Sequence, residues 1–179
     1  MPSVDPMLLE RAQKIRLLAL DVDGILTDGT LYFDSSGNEL KAFNTSDGLG
    51  LKALQKFGIQ LAIITGRESP MVTQRAAQLG FDFVYQGSDN KLSAYMDILN
   101  KTGLEADQIC YAGDDFIDLP VLLRVGLAVS VPMADDEVKD RVHWVTSRSG
   151  GQGAVREICK LILKAQGHDQ KLLQEFIDQ

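Results

Sequence analysis

The sequence predicts an α/β domain in which a doubly wound, Rossmann-like parallel sheet carries helices on both faces. Three observations predict it: short runs that are apolar on both faces, helical segments of about 8 to 14 residues between them, and the regular alternation of the two. Strands of this kind belong to parallel sheets with right-handed crossovers. With 179 residues and 45% hydrophobic content, the chain suits a single domain, 1–179, with a core at about residues 16–165.

Strands and helices are assigned in chain order from apolar periodicity and capping residues. The predicted strands are residues 17–20, 59–65, 81–87, 108–115, 127–131 and 143–146. The predicted helices are residues 47–58, 69–80, 90–103, 116–126 and 135–142, followed by a last helix from about Gly153. In the second helix, Ser69 is a possible N-cap, Pro70 occupies the first position and Gly80 ends the helix.

Two segments lie outside this alternation. Two short β-type runs surround the turn-rich quartet "SSGN", which predicts a small β-hairpin inserted at about residues 30–44 and leaves no room for a cap domain. Residues 166–179 are polar with a few apolar side chains. This tail is predicted either to fray or to dock on a partner.

The composition restricts the possible partners. A net charge of -7 and a pI near 4.8 disfavour nucleic acid and anionic membranes, because no run of Lys or Arg offsets the overall field. No stretch approaches the roughly 18 apolar residues of a membrane span or the apolar core of a secretory signal. Cys110 and Cys159 are predicted to be buried thiols, and His143 and His168 to be structural or exposed. We therefore expect a cytoplasmic protein.

Polar and charged residues follow the apolar runs directly. The first strand ends in "DVDG" from Asp21, the second in "TGR" from Thr65 and the fourth in "GDD" from Gly113, while Lys91 begins the helix after the third. In doubly wound sheets, ligands bind beyond the carboxyl ends of the strands. Carboxylates, a hydroxyl with a glycine amide, and an ammonium are therefore expected at one edge, a set that suits phosphoryl transfer.

The acidic residues have distinct predicted roles. Asp21 is the candidate nucleophile, which attacks phosphorus to form an aspartyl-phosphate. We expect Mg²⁺ between Asp21, Asp114 and the Asp23 carbonyl, since carboxylates this close repel one another without a cation. The Asp23 side chain is expected to protonate the leaving oxygen and later to accept a proton from water. Asp115 and Asp118 are expected to hold the metal ligands in position without binding the metal themselves.

The remaining residues are predicted to hold the phosphoryl group. Thr65 and the Gly66 N–H donate hydrogen bonds to its oxygens, and Lys91 supplies positive charge to the transition state. Each motif alone also has an ordinary explanation, since strand-end aspartates often cap turns and a lone lysine is usually solvated. The order of all four motifs at successive strand ends favours the catalytic interpretation.

These four ordered motifs resemble those of the haloacid dehalogenase superfamily of phosphohydrolases over about residues 16–165. Longer stretches are similar to the superfamily's phosphatases for 3-deoxy-D-manno-octulosonate 8-phosphate: "DVDGILTDG", "FNTSDGLG", "TGRESPMVTQRAAQLG", "GDDFIDLPVL" and "GGQGAVRE". The resemblance implies a capless, Mg²⁺-dependent homotetramer that acts on a sugar phosphate on the route to lipopolysaccharide in Gram-negative bacteria. Neighbouring subunits would then form the walls of the open site, with the hairpin at residues 31–44 as the contact element.

The resemblance also implies substrate contacts. The sugar acid carries a carboxylate beside its phosphate, so Arg67, which follows the phosphate loop, is assigned to the substrate. Arg75, two helical turns on, is assigned with it, although a solvated helix residue explains Arg75 equally well. Asp47 is placed at the substrate entrance, and Ser46 stands where the family often has a basic residue. The C-terminal segment is a further candidate to reach a neighbour's site.

The sequence leaves three other functions open. A phosphatase for a nine-carbon ulosonic acid phosphate would share every catalytic residue. A non-catalytic, regulatory or oligomeric partner of a sugar-activating enzyme would not need both a nucleophile and an acid, such as Asp21 and Asp23. A phosphate-carrying receiver domain also uses an acidic pocket, but its phosphoacceptor normally ends the third strand and not the first.

Overall fold

The computed structural model describes residues 5–178, so residues 1–4 and Gln179 of the predicted single domain lie outside the described part. The strands are β1 (Leu17–Leu20), β2 (Tyr32–Phe33), β3 (Glu39–Leu40), β4 (Gln60–Ile64), β5 (Phe83–Tyr85), β6 (Ile109–Ala112), β7 (Leu127–Ser130) and β8 (Trp144–Val145). The helices are α1 (Pro6–Lys14), α2 (Thr45–Lys56), α3 (Pro70–Leu79), α4 (Lys91–Thr102), α5 (Leu119–Leu122), α6 (Asp136–Lys139), α7 (Ala154–Ala165) and α8 (Asp169–Ile177).

A six-stranded parallel sheet has β1 at its centre, in the order β5-β4-β1-β6-β7-β8. Leu17 of β1 pairs with Gln60 of β4 on one side and with Ile109 of β6 on the other. The strand order therefore reverses at β1, and the carboxyl ends of β1, β4 and β6 open onto one crevice. The predicted doubly wound parallel sheet is confirmed.

The sheet separates two apolar cores. Leu18 and Leu20 of β1 face a core that includes side chains of α1, α2, α3 and α7, while Leu17 and Ala19 face a second core with α4, α5 and α6. Successive strand residues point to opposite faces, and all four are fully buried. This burial on both faces explains why the strand appears in the sequence as an unbroken apolar run.

The inserted hairpin is confirmed, with strands of two residues each. Tyr32 pairs with Leu40, and Phe33 with Glu39. The side chain of Asp34 closes the turn by accepting hydrogen bonds at 2.8 Å from the N–H groups of both Ser36 and Asn38.

Several helix boundaries differ from the predicted ones. α2 begins at Thr45 because the Asn44 side chain caps it, accepting from the Ser46 N–H at 2.8 Å. Ser69 occupies the N-cap position of α3, but its side chain makes no capping bond. The predicted helix at residues 116–126 is a 3₁₀ turn followed by the short α5.

Two terminal helices were not predicted. Asp5 caps α1 by accepting from the Met7 N–H at 2.9 Å. The tail contains α8, which packs on the chain's own body: Leu172 is buried, and Glu175 forms an ion pair with Lys56. The prediction that the tail frays is therefore wrong for the described residues. Docking on a partner stays a prediction, since Leu173, Phe176 and Ile177 of α8 are exposed.

The other structural predictions hold. Cys110 and Cys159 are buried free thiols. His168 stacks on Phe57 with ring centroids 4.3 Å apart, and Nδ1 of His143 accepts a hydrogen bond from the Ala128 N–H at 2.9 Å. Within residues 5–178, no helix combines the length and the apolar character needed to cross a membrane.

We expect Leu172→Ala to detach α8, because it removes the buried side chain of this helix. The free energy of unfolding should fall by about 2 kcal/mol, and amide hydrogen exchange should rise within α8. Leu173→Ala is the matched control, since Leu173 is 55% exposed on the same helix. Equal effects of the two substitutions on exchange would contradict the docking of the tail.

Candidate active site

The carboxyl ends of the central strands carry the predicted residues. Asp21 follows β1 directly, and its N–H donates to the Ala112 carbonyl of β6 at 2.9 Å. Thr65 follows β4 and is buried. Asp114 lies two residues beyond β6, and Lys91 is the first residue of α4. The structure therefore places the four motifs at one edge of the sheet.

A buried ammonium joins two of the carboxylates. The Lys91 side chain is 1% exposed, and its Nζ lies 2.9 Å from Oδ1 of Asp21 and 2.7 Å from Oδ1 of Asp118. The Tyr111 hydroxyl donates to the same Asp118 oxygen at 2.5 Å. Lys91 is thus fixed between the predicted nucleophile and a fully buried aspartate.

Asp118 is the structural centre of this cluster. Its Oδ2 accepts hydrogen bonds from the N–H groups of Asp114 at 2.9 Å and of Asp115 at 3.2 Å. Asp115 itself caps the following 3₁₀ turn by accepting from the Phe116 N–H at 2.6 Å. Both Asp118 oxygens are therefore occupied by donors, which matches its predicted supporting role.

Burial and mutual repulsion shift the pKa values in the cluster. Burial, followed by the charge of Asp118, raises the pKa of Asp21 to about 7, although Lys91 opposes this shift. Burial and the charges of Asp21 and Asp118 also raise the pKa of Asp114 to about 7. For Lys91, burial opposes the charged form, but Asp21 and Asp118 outweigh it and raise the pKa. The site holds more negative charge than Lys91 neutralises.

The donor set fits a divalent cation. Asp21, Asp114 and Asp118 each offer a carboxylate oxygen, and these oxygens lie within 4.8 Å of one another. Because donors already occupy Asp118, Asp21 and Asp114 are the carboxylates left for a metal. Hard oxygen ligands of this kind suit Mg²⁺.

Gly24 makes room for this arrangement. Its φ is +88°, and a Cβ at this position would lie 1.9 Å from Oδ2 of Asp114. Gly150, in the glycine-rich segment before α7, packs behind the same loop, where a Cβ would lie 1.8 Å from the Gly24 carbonyl oxygen. The Gly151 N–H donates to the Ile25 carbonyl at 3.1 Å. The two glycine-containing segments thus hold the loop after β1 against Asp114.

The predicted phosphate loop has an ordered backbone. The Thr65 N–H donates to the Tyr85 carbonyl at 2.9 Å, and the Thr65 carbonyl accepts from the Ser88 N–H at 3.1 Å. Next to Gly66 there is open space, since a Cβ there would meet only the Ser88 carbonyl oxygen, at 3.9 Å. The Cα side of Gly66 is therefore free of side chains within 4 Å.

Asp23 lies beside the hairpin. Its Oδ1 forms an ion pair with Lys41, and its Oδ2 lies 3.7 Å from Nε of Arg67. Arg67 also contacts Oε1 of Glu39 at 2.9 Å. Sequence reasoning missed Lys41 and Glu39, because residue spacing does not show how a hairpin folds over a sheet edge.

Other predicted residues take different positions. Arg75 lies over the Phe43 ring and donates to the Asn44 carbonyl at 3.5 Å. Asp47 is 1% exposed, and its Oδ1 accepts from the Arg156 N–H at 2.7 Å. The predicted entrance position of Asp47 is therefore corrected: its carboxylate joins α2 to the start of α7, and burial raises its pKa.

Asp28 lies outside the acidic cluster of Asp21, Asp114 and Asp118. It is exposed and accepts hydrogen bonds from the Thr30 N–H at 2.9 Å and the Tyr32 hydroxyl at 2.7 Å. Together with Asp114, Arg148 and Gly150, it lines an open pocket of about 650 Å³ beside the acidic cluster.

Sequence comparison identifies related hydrolases. A family model described as haloacid dehalogenase-like hydrolase matches residues 33–126. The 3-deoxy-D-manno-octulosonate 8-phosphate phosphatase KdsC of Salmonella typhimurium is 48% identical over 164 residues, which cover 92% of this chain and 87% of that protein. The protein of the same name from Escherichia coli K12 is 48% identical over 159 residues, covering 89% and 85%.

Solved structures agree with the sequence comparison. The 3-deoxy-D-manno-octulosonate 8-phosphate phosphatase of Moraxella catarrhalis, in complex with a magnesium ion, a phosphate ion and a KDO molecule, is 44% identical with a TM-score of 0.94; the match covers 97% of this chain and 99% of that one. A cobalt-bound form of the Haemophilus influenzae enzyme is 40% identical with a TM-score of 0.85, covering 89% and 93%.

We expect Mg²⁺ to stabilise the protein more at about pH 8 than at about pH 5.5, because the metal binds deprotonated carboxylates. The raised pKa values of Asp21 and Asp114 mean that, without metal, these groups favour the folded state below their unfolded pKa of 3.8. This contribution is lost as the pH rises through about 7. Added metal should offset that loss.

The measurement is the melting temperature with MgCl₂ and with a chelator at both pH values. Asp114→Asn is the matched variant, since it keeps the side-chain shape and removes one ligand charge. It should lose most of the Mg²⁺ response at the higher pH. A response that is equal at both pH values, or equal in the variant, would contradict the proposed metal position.

Proposed function

This chain belongs to the haloacid dehalogenase-like hydrolases, and we propose that it is a Mg²⁺-dependent phosphatase that converts 3-deoxy-D-manno-octulosonate 8-phosphate to the free sugar acid and phosphate. The observation that carries this proposal is the buried Lys91 between Asp21 and Asp118 at the reversal point of the sheet. Its relatives of that name match nearly the whole chain, and one was solved with magnesium, phosphate and the sugar acid. The reaction would supply a precursor of lipopolysaccharide.

The first step transfers the phosphoryl group to Asp21. A carboxylate oxygen of Asp21 forms a bond to phosphorus while the bond from phosphorus to the sugar oxygen breaks. Asp23 donates a proton to that leaving oxygen. The N–H of Gly66, the Thr65 hydroxyl and the Lys91 ammonium bind the phosphoryl oxygens, where negative charge must be held in the transition state.

The second step hydrolyses the aspartyl-phosphate. Asp23, now deprotonated, accepts a proton from a water molecule, whose oxygen attacks phosphorus and releases Asp21. When bound, Mg²⁺ neutralises negative charge between Asp21 and the phosphate, with Asp21, Asp114 and the Asp23 carbonyl as its proposed protein ligands. Asp118 keeps Lys91 in place through both steps, and Asp115 fixes the loop that carries Asp114.

Arg67 and Arg75 are the proposed contacts to the substrate carboxylate. Arg67 is 46% exposed at the edge of the site, so a ligand can reach its guanidinium. Arg75 is only partly buried beside Phe43, at the end of the hairpin. Ser46 is exposed at the start of α2, so its short side chain supplies no cation there.

We further propose a cytoplasmic homo-oligomer, most simply a tetramer. Apolar side chains on and beside the hairpin face outward: Leu31, Tyr32, Phe33 and Leu40 are 42%, 44%, 61% and 57% exposed. Several exposed apolar side chains within one short segment favour association with another copy. A neighbouring subunit at the hairpin would also form a wall of the open site.

Asp21→Asn and Asp23→Asn test the phosphatase proposal. Phosphate release from 3-deoxy-D-manno-octulosonate 8-phosphate should require Mg²⁺ and fall by about 10³-fold or more in Asp21→Asn and by about 10²-fold or more in Asp23→Asn. The assay is free phosphate against time. Unchanged rates in both variants would refute the assigned site and leave the non-catalytic partner as the better explanation.

The same assay separates the two sugar acids. The eight-carbon substrate should have a higher kcat/KM than a nine-carbon ulosonic acid 9-phosphate, because the relatives that match nearly the whole chain are named for the eight-carbon compound. A higher value for the nine-carbon compound would keep the mechanism and replace the substrate.

The oligomer proposal predicts that Phe33→Lys combined with Leu40→Lys lowers the mass of the assembly. Each substitution places a charge in the proposed apolar contact, where an unpaired charge is costly to bury. The mass is read by light scattering after size exclusion. Leu123→Lys, at a residue 60% exposed directly after α5, is the control and should leave the mass unchanged. A monomeric wild-type protein would refute the proposal.

A further inference from the structure

Around β3 of the hairpin, charged and apolar side chains alternate between the inner and the outer face. Glu39 and Lys41 face the body of the protein, whereas Leu40 between them is 57% exposed. The Lys41 side chain is only 2% exposed. Burying an ammonium is unfavourable unless an opposite charge compensates it, so this position depends on the carboxylates around it.

Four side chains of alternating charge form a closed ring at this place. Lys41 contacts Oδ1 of Asp23 and, at 3.3 Å, Oε1 of Glu39. Arg67 contacts the same Glu39 oxygen at 2.9 Å and Oδ2 of Asp23 at 3.7 Å. The two oxygens of Asp23 therefore face two different cations, and Glu39 braces both.

The two cations are not equivalent. Arg67 is 46% exposed, its distance to Asp23 is long, and exposed ion pairs contribute little. Lys41 is buried against Asp23 and approaches it more closely. Lys41 is therefore the cation that fixes the side-chain orientation of Asp23, and Oδ2 is the oxygen left to face the reacting group.

We propose that Lys41 is a positioning residue for the proton transfers of Asp23 and that Glu39 holds Lys41 in place. The inference rests on the proposed phosphatase function. A general acid works only within hydrogen-bond reach of the atom it protonates, and a free Asp23 side chain could rotate away from the leaving oxygen. The buried ion pair with Lys41 restricts that rotation before substrate arrives.

Two substrates separate this role from a general structural one. A sugar phosphate releases a basic alkoxide, so breaking its bond to phosphorus needs the proton of Asp23. p-Nitrophenyl phosphate releases a weakly basic phenolate, so its phosphoryl group reaches Asp21 without that proton. Hydrolysis of the aspartyl-phosphate needs Asp23 as a base for both substrates. Misplacing Asp23 should therefore spare only the first step with the aryl substrate.

The experiment compares Lys41→Met with Lys41→Arg in the full-length protein with Mg²⁺. In Lys41→Met, kcat for the sugar phosphate should fall by about 10- to 100-fold with little change in KM. The same variant should release a burst of about one p-nitrophenolate per active site and then turn over slowly. Lys41→Arg should recover part of the lost kcat, since it restores the charge. Asp23→Asn is the reference and should show the same burst.

Lys56→Met is the matched control, because Lys56 forms an ion pair with Glu175 away from the site. The kinetics of this variant should equal those of the wild type.

Glu39→Gln should show a smaller loss of kcat for the sugar phosphate. It provides the test if circular dichroism shows that Lys41→Met does not fold. A wild-type kcat for the sugar phosphate in both Lys41→Met and Glu39→Gln would overturn the inference. A burst of p-nitrophenolate that is slowed as much as steady-state turnover would also overturn it. Absence of phosphate release from wild-type protein would instead refute the proposed function.

Discussion

The ion cluster around Lys91 is the constraint on which the rest of the structure depends. An ammonium that is 1% exposed must be balanced, and Asp21 balances it from the end of β1 and Asp118 from the 3₁₀ turn that follows β6. Removing one partner of such a buried pair typically costs about 3–5 kcal/mol, because the remaining charge is left without compensation. The parallel sheet satisfies this requirement, since it brings the carboxyl ends of β1 and β6 side by side. The same cluster carries excess negative charge, which gives a divalent cation a reason to bind.

The sequence predicted the parts of the site that depend on topology alone. Asp21, Thr65 and Asp114 follow apolar runs. A doubly wound sheet brings the ends of such runs to one edge, independently of the loop conformations. Sequence reasoning missed Tyr111 and Lys41, whose roles depend on contacts that residue order does not show. Tyr111 lies inside a buried strand, and the general need of a buried tyrosine hydroxyl for a partner was the signal that could have identified it. Lys41 had no comparable signal within the sequence, since its partner lies 18 positions away across a hairpin.

Packing between two helices explains the correction at Asp47, which the family resemblance placed at the substrate entrance. In the structure, Asp47 lies in the first turn of α2, and its carboxylate accepts a hydrogen bond from the main chain at the start of α7. The interaction is still relevant to the site, because the glycines that precede α7 pack behind the loop after β1. A carboxylate predicted to bind substrate thus orders the layer behind the active site.

The site combines two supports of different rigidity. Fully buried strands position the proposed nucleophile Asp21 and Asp114, whereas the proposed acid/base residue Asp23 contacts a hairpin whose strands have only two residues each. Leu40 is exposed between Glu39 and Lys41, which face the body of the protein, so we expect a contact that covers Leu40 also to restrain its two neighbours. Association at the hairpin and the position of the proton-transferring group are therefore physically linked. In the proposed oligomer, a neighbouring subunit would help to order Asp23, the part of the proposed chemistry that the sheet does not position.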